Sequence, residues 1–70
     1  MVFKVYYQED PDRNPIREDT QVLYIEAEDL PQARAIVQKN TNYNVEEIEA
    51  LSEKSLLYEE SEPNYKLTTF

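Results

Sequence analysis

The residues best suited to chemistry lie in an acidic segment near the start of the chain. Asp10, Asp12 and Asn14 have the D-x-D-x-N spacing of the first three side-chain ligands of a calcium-binding EF-hand. The rest of that motif is missing, because Pro15 stands where the turn glycine belongs and Gln21 where the bidentate carboxylate belongs. The flanking segments have strand patterns, whereas an EF-hand requires helices. We therefore expect a solvated acidic turn and no metal site.

Paired carboxylates are frequent in the chain, as at Glu46 with Glu47 and at Glu59 with Glu60. Acid–base catalysis requires two carboxyls in one pocket whose environments separate their pKa values, and adjacent strand residues point to opposite faces. The sequence contains no histidine, cysteine or glycine, so the usual general base, thiol nucleophile and glycine-rich phosphate loop are all missing. We expect no catalytic residue, no cofactor site and no enzymatic activity in this chain alone.

Two arginines interrupt the acidic segment. Arg13 and Arg17 are two of only seven basic residues. The planar guanidinium suits bidentate contact with a carboxylate on a partner protein, and arginine is enriched among residues that dominate interfaces. The alternative is internal pairing with Asp12, Glu18 or Asp19, which contributes less than about 1 kcal/mol when exposed. Both interpretations are consistent with the sequence.

The charge balance restricts the class of partner. Fifteen acidic and seven basic residues give the chain a net charge of −8. Nucleic-acid affinity comes largely from basic groups that displace counterions, so we expect no direct binding to DNA or RNA. The acidity favours encounter with a basic protein surface, or it simply maintains solubility.

Length and hydropathy bear on organisation and compartment. The 70 residues suffice for one small core, so we expect a single domain spanning residues 1–70. No stretch approaches the roughly 20 apolar residues of a membrane span, and the opening MVFKVYYQED lacks the apolar run of a signal peptide. Without cysteine, the chain suits a reducing compartment. These features predict a soluble, cytoplasmic protein without membrane contact, monomeric when free.

Hydrophobic periodicity predicts the elements that position these residues. Alternating apolar residues predict strands over residues 2–8, 20–27 and 45–51. Residues 55–60 and 65–70 are predicted to form a closing hairpin around the turn at 61–64.

A helix is predicted between the second and third strands. Asp29 is its expected N-cap, Pro31 lies in its first turn, and apolar residues recur at helical spacing to about Asn40. The segment NTNYN, residues 40–44, is expected to end the helix, because asparagine tolerates the left-handed conformation that glycine, missing from this chain, would usually supply. The order β-β-α-β-β-β predicts an α+β domain in which one helix covers one face of a mainly antiparallel sheet of about four to five strands.

One helix leaves the opposite face of such a sheet open. The predicted core consists of Phe3, Val5, Leu23, Ile25, Leu30, Ala33, Ile36, Val37, Ile48, Leu56 and Leu67. Tyr6, Val22 and Tyr24 alternate with these residues and fall on the other face, so we expect them to bind a partner, with Arg17 at the rim. Alternatively, the closing hairpin covers this face, or the tyrosines stand half-exposed.

The order of local sequences adds a resemblance to these interpretations. The strings VYYQE, NPIRE and LYIEAE, followed by NTNYNVEEIEALSEKSLLYEE and LTTF, resemble the epsilon subunit of RNA polymerase from low-GC Gram-positive bacteria. The similarity covers nearly the whole chain. It implies a non-catalytic accessory subunit that binds the large subunits of core RNA polymerase and stabilises or modulates the enzyme in transcription.

The same resemblance suggests an alternative function. The fold of the epsilon family is likened to a small phage protein that inhibits bacterial RNA polymerase. The chain would then be an acidic inhibitor that occupies a basic nucleic-acid channel of the enzyme. A third interpretation, a free-standing metal-binding or enzymatic domain, is disfavoured by the incomplete motifs above.

Overall fold

The computed structural model describes residues 1–9 and 20–70, and in these residues three strands and two helices follow the order β-β-α-β-α. The elements are β1 (Val2–Gln8), β2 (Gln21–Glu26), α1 (Leu30–Asn40), β3 (Asn44–Ala50) and α2 (Glu53–Glu60). The α+β class is confirmed, as are the first three strands and the first helix. The prediction of four to five strands and a single helix is wrong in its details.

The three strands form one antiparallel sheet with β1 in the centre, in the order β2-β1-β3. Val5 lies opposite Leu23 on β2 and opposite Ile48 on β3, so these three side chains share one face. The register between β1 and β3 shifts between Tyr6 and Tyr7, as it does at a β-bulge. Because β1 is paired on both sides, its alternating residues determine the chemistry of both sheet faces.

Helix α1 packs on the face that carries Val5 and closes the core there. Ala33 and Val37 lie four residues apart on α1, one turn from each other, and both are completely buried. The buried cluster consists of Phe3, Val5, Tyr7, Leu23, Ile25, Ala27, Ala33 and Val37. Each large apolar side chain buried in this way contributes roughly 1.5–3 kcal/mol to stability.

The start of α1 follows the sequence prediction, but its end does not. The Asp29 side chain caps the helix by accepting the Gln32 backbone N–H at 2.8 Å, and Pro31 lies in the first turn. At the C-terminus, the Thr41 N–H and hydroxyl donate to the Val37 carbonyl at 2.9 Å and 2.7 Å. No described residue has a positive φ, so the expected left-handed asparagine is wrong. A threonine in extended conformation satisfies that carbonyl instead.

The predicted closing hairpin is also wrong. Residues 55–60 belong to α2, where the Ser52 hydroxyl caps the helix by accepting the Ser55 backbone N–H at 3.1 Å. A serine cap followed by Glu, Lys and Leu, all good helix formers, favours a helix over a short strand. In the predicted strand at 65–70, Leu67 makes an isolated parallel bridge to Tyr24 on β2.

The core also differs from the predicted set at several positions. Leu30 and Leu67 are exposed, whereas Ile36, Ile48 and Leu56 are half-buried. Leu30 is the first residue of α1, and the buried positions of that helix begin one turn later. The structure adds Val2, Tyr7, Ala27 and Leu51 to the buried apolar residues.

Candidate partner-binding surface

The sheet face opposite α1 carries the residues that the sequence analysis assigned to a partner. We call it the second face. On it, Tyr6 lies between Val22 on β2 and Glu47 on β3. The neighbouring row places Lys4 between Tyr24 and Glu49. The second face is therefore a mixture of aromatic and charged side chains, with β3 contributing the carboxylates.

Helix α2 is attached to the second face by polar contacts centred on Glu59. The Lys4 Nζ lies 2.8 Å from Glu59 Oε1, and the Tyr24 hydroxyl donates to Glu59 Oε2 at 2.8 Å. The Lys4 and Glu59 side chains retain only 18% and 16% of their exposure. Both carboxylate oxygens of Glu59 are thus occupied inside the molecule. We refer to Lys4, Tyr24 and Glu59 as the Glu59 cluster.

The C-terminal segment covers Tyr24 further. The ring centroids of Tyr24 and Tyr65 are 4.7 Å apart, with the planes inclined by 52°. The Thr68 backbone N–H donates to the Tyr24 carbonyl at 2.7 Å, beside the Leu67 bridge. Tyr24 therefore makes its main contacts within the chain, through its hydroxyl, its ring and its backbone.

The contacts within the Glu59 cluster shift the pKa values of its three groups. Hydrogen bonds from Lys4 and then Tyr24 lower the pKa of Glu59, and the bond to Glu59 raises the pKa of Lys4. Burial, followed by the hydrogen bond to Glu59, raises the pKa of Tyr24 to about 12. At neutral pH all three groups keep one protonation state. The cluster is a fixed ion pair with a hydrogen-bonded phenol, and its pKa values lie far from those of a general acid or base at neutral pH.

Tyr6 and Val22 occupy the more open part of the second face. Tyr6 is half-buried, and its hydroxyl lies 3.4 Å from Glu49 Oε2, a long and weak hydrogen bond. The Lys4 Nζ lies 5.4 Å from the centre of the Tyr6 ring, within the range of a cation–π contact. The Val22 side chain is exposed. This part of the surface presents an aromatic ring and an aliphatic group side by side.

The predicted site residues are therefore only partly brought together. Tyr6, Val22 and Tyr24 are neighbours on the second face, with Tyr24 under the Tyr65 ring. Arg17 and Arg13 lie outside the described residues. The acidic motif of Asp10, Asp12 and Asn14 lies there as well.

Glu46, at the other end of β3 from α2, makes structural contacts. Glu46 accepts hydrogen bonds from the Gln8 side chain at 3.2 Å and from the Thr20 hydroxyl at 2.7 Å. Among residues 1–9 and 20–70, no three acidic side chains are arranged to hold a metal ion. In the same residues, no helix has the length and apolar character to cross a membrane.

An apolar feature of α2 was not predicted from the sequence. Leu57 and Tyr58 are adjacent, and they retain 71% and 68% of their exposure. Tyr58 also borders a cavity of about 350 Å³ between α2 and the second face, together with Tyr6 and Glu49. Assigning residues 55–60 to a strand hid this feature, because a strand would send Leu57 and Tyr58 to opposite faces. The serine cap at Ser52 was the signal that could have revealed it.

A larger groove of about 560 Å³ lies on the other side of the molecule, between α1 and the C-terminal segment. Its walls include Ile36, Leu67 and Phe70, with Glu26 and Lys39 among the charged residues. Of the predicted site residues that the structure describes, Tyr6, Val22 and Tyr24, none borders this groove. The second face and α2 are therefore the stronger candidates for a functional surface.

Comparison with known proteins identifies the family. A family model described as the RNA polymerase epsilon subunit matches residues 2–69. The DNA-directed RNA polymerase subunit epsilon of Leuconostoc mesenteroides is 60% identical to this chain over 70 residues, covering 100% of both chains. The corresponding subunit of Limosilactobacillus reuteri is 56% identical, again over 100% of both chains. That of Levilactobacillus brevis is 54% identical over 100% of this chain and 97% of its own.

These matches confirm the resemblance found in the sequence. They cover the described strands and helices and also the acidic segment between β1 and β2. All three relatives carry the name of the same polymerase subunit. This chain belongs to the RNA polymerase epsilon subunit family.

Proposed function

We propose that this chain is a non-catalytic accessory subunit that binds the large subunits of core RNA polymerase and stabilises or modulates the enzyme during transcription. The observation that carries the proposal is the family match over residues 2–69. RNA synthesis then remains with the large subunits. In this proposal the free chain is a cytoplasmic monomer with a single domain at residues 1–70.

The second face supports a role in protein binding. Tyr6 and Val22 form its open part, and an aromatic anchor in a desolvated interface often contributes about 2 kcal/mol or more. We propose Tyr6, Val22 and Tyr24 as partner-binding residues, with Tyr24 supporting the surface through the Glu59 cluster. Arg17 is proposed at the rim, where a charge acts mainly on the association rate.

The net charge supports a protein partner over a nucleic acid. A chain with a charge of −8 repels the phosphate backbone of DNA or RNA. The same charge accelerates encounter with the basic surfaces that large nucleic-acid enzymes carry. Contact with template or transcript is not part of the proposed role.

Size-exclusion chromatography with purified core RNA polymerase tests the proposal. We expect the chain to co-elute with the core enzyme at equal stoichiometry. In a mobility-shift assay at physiological salt, we expect no shift of free duplex DNA. Absence of co-elution, or tight binding to naked DNA, would contradict the proposed function.

The second candidate function is an acidic inhibitor that occupies a basic nucleic-acid channel of RNA polymerase. It is favoured by one observation, the exposed glutamates of β3 and α2, among them Glu47, Glu49 and Glu53. An inhibitor of this kind competes with template, so excess protein would suppress transcription and high salt would relieve the suppression. The proposed subunit leaves transcription near its control level when the protein is saturating.

A further inference from the structure

Helix α2 has no buried residue, and it presents two large apolar side chains to solvent. Leu57 and Tyr58 retain 71% and 68% of their exposure and are adjacent in sequence. Glu59 attaches α2 to the sheet through its ion pair with Lys4 and its hydrogen bond from Tyr24. Neither Leu57 nor Tyr58 is therefore needed to hold α2 in place. Adjacent apolar groups exposed in this way are typical of a protein-binding surface.

The negative charge of the protein is concentrated in the sequence segment that contains these two side chains. Seven of the fifteen acidic residues lie within residues 46–62, and that range contains a single basic residue, Lys54. Glu59 is paired with Lys4 inside the molecule. The other six are exposed, namely Glu46, Glu47, Glu49, Glu53, Glu60 and Glu62. With seven acidic residues and one basic residue, residues 46–62 carry a charge of −6, out of −8 for the whole chain.

The cavity beneath Tyr58 combines aromatic rings with a carboxylate. Tyr6 and Tyr58 border it, and Glu49 lies in the same wall. Two lysines, Lys4 and Lys54, also border this cavity. Lys4 is already paired with Glu59, and Lys54 forms no ion pair with Glu49, so within the described part of the chain the Glu49 carboxylate accepts only the long hydrogen bond from Tyr6. A guanidinium can stack on a tyrosine ring while it donates two hydrogen bonds to a carboxylate. The cavity therefore has the chemistry to accept an arginine side chain.

From these observations we infer that a surface made of Tyr6, Glu47, Glu49, Leu57 and Tyr58 docks a basic, arginine-bearing segment of a core RNA polymerase subunit. The inference rests on the proposed function and specifies the chemistry of the partner. Charge complementarity selects a basic protein segment as the occupant. A nucleic acid and a second copy of this chain both carry negative charge and are repelled by the exposed glutamates.

Truncation of the apolar pair tests this inference in the intact protein. In the variant Leu57→Ala with Tyr58→Ala, we expect the Kd for purified core RNA polymerase to rise at least tenfold. The circular dichroism spectrum and Tm of the free protein should stay unchanged, because both side chains are exposed. The matched control is Leu30→Ala with Phe70→Ala, an exposed aliphatic and aromatic pair outside α2 and β3, which should leave the Kd within twofold.

A second pair of variants tests the charge separately. Glu47→Gln with Glu49→Gln should weaken binding about threefold or more and flatten its dependence on salt. The control Glu9→Gln with Glu28→Gln makes the same change in net charge at exposed positions that belong to neither α2 nor β3. Equal effects in the two double variants would overturn the inference, because net charge alone would then explain them.

The outcomes separate this inference from the proposed function. If the unaltered protein fails to bind core RNA polymerase, the proposed function is wrong and this inference falls with it. If the unaltered protein binds and the Leu57 and Tyr58 truncations bind equally well, the inference is overturned while the proposed function stands. If Leu57→Ala with Tyr58→Ala weakens binding and the control Leu30→Ala with Phe70→Ala binds normally, the inference is supported.

Discussion

The two faces of the sheet are built from alternate residues of the same strand, β1, and are covered in different ways. On the α1 side, Phe3 and Val5 are almost completely buried against apolar neighbours. On the second face, Lys4 and Tyr6 are only half-buried, and α2 is attached through an ion pair and hydrogen bonds. One face thus holds the buried apolar cluster, whereas the other provides a chemically mixed surface.

This difference follows from the physics of the two kinds of contact. Burial of apolar area is favourable in proportion to the area removed from water. An ion pair gains little net free energy, because the charges lose hydration when they come together. The first face therefore tolerates truncation poorly, and the second face retains side chains that remain available to a partner.

The largest expected effect comes from comparing two aromatic truncations. Phe3→Ala should cost about 3–5 kcal/mol because it empties the centre of the core. A chain of this length has only roughly 4–10 kcal/mol in total, so we expect partial or complete unfolding. Tyr58→Ala should change the free energy of unfolding by less than about 0.5 kcal/mol, because the ring is exposed.

Urea unfolding followed by circular dichroism measures both effects on the free protein. If Tyr58→Ala destabilises the chain as strongly as Phe3→Ala, the contrast between the two faces is lost. Tyr58 would then be part of the core and not a surface for a partner.

The next effect concerns the Glu59 cluster and its dependence on pH. The pKa of Glu59 is lowered in the folded state, chiefly by the hydrogen bond from Lys4. Its contribution to stability is therefore present above the unfolded pKa of about 4.3 and is lost as the pH falls through the lower folded pKa. Glu59→Gln removes this contribution and should cost about 1 kcal/mol near neutral pH, with little difference from the unaltered protein in strong acid.

Thermal melts across the acid range measure this dependence. Glu60→Gln is the matched control, since it removes the same charge from the adjacent exposed residue. Equal losses in the two variants at neutral pH would show that the ion pair with Lys4 contributes nothing specific.

A smaller effect distinguishes the two tyrosines of the second face. Tyr24→Phe removes a hydroxyl that donates to Glu59 at 2.8 Å and should cost about 1 kcal/mol. Tyr6→Phe removes only the long contact to Glu49 at 3.4 Å and should leave the free energy of unfolding nearly unchanged. Urea midpoints compare the two variants directly. A larger loss of stability in Tyr6→Phe than in Tyr24→Phe would show that the Tyr6 hydroxyl is the one that stabilises the fold.

The smallest expected effect is that of calcium. The incomplete motif at Asp10, Asp12 and Asn14 predicts no binding, so Tm should be the same in chelator and in calcium at about millimolar concentration. A saturable rise in Tm that disappears in Asp10→Asn with Asp12→Asn would establish a calcium site.

The accuracy of the sequence predictions also differs between the two faces. The three strands and helix α1, which form the first face, are predictable from local patterns. These patterns are the alternation in β1, β2 and β3 and the helix cap at Asp29. The cover of the second face depends on Lys4 and Glu59, which are 55 residues apart in sequence. No local pattern specifies such a pairing.

Only part of the candidate surface was predictable from the sequence. Tyr6 and Val22 were placed together correctly, since strand alternation alone assigns them to one face. Leu57 and Tyr58 were missed, because the short apolar run at 56–58 is compatible with either a strand or a helix. Ile36 was assigned to the core but is only half-buried, because Ala33 and Val37 form the buried contact of α1.

Hydrogen exchange of the chain, free and bound to core RNA polymerase, shows whether the second face and α2 form the binding surface. In the free protein, α2 should exchange faster than α1, because α1 has buried residues and α2 has none. In the complex, we predict slower exchange of the α2 and β3 amides with little change in α1. Protection confined to α1, or no change in a complex that co-elutes, would contradict the account.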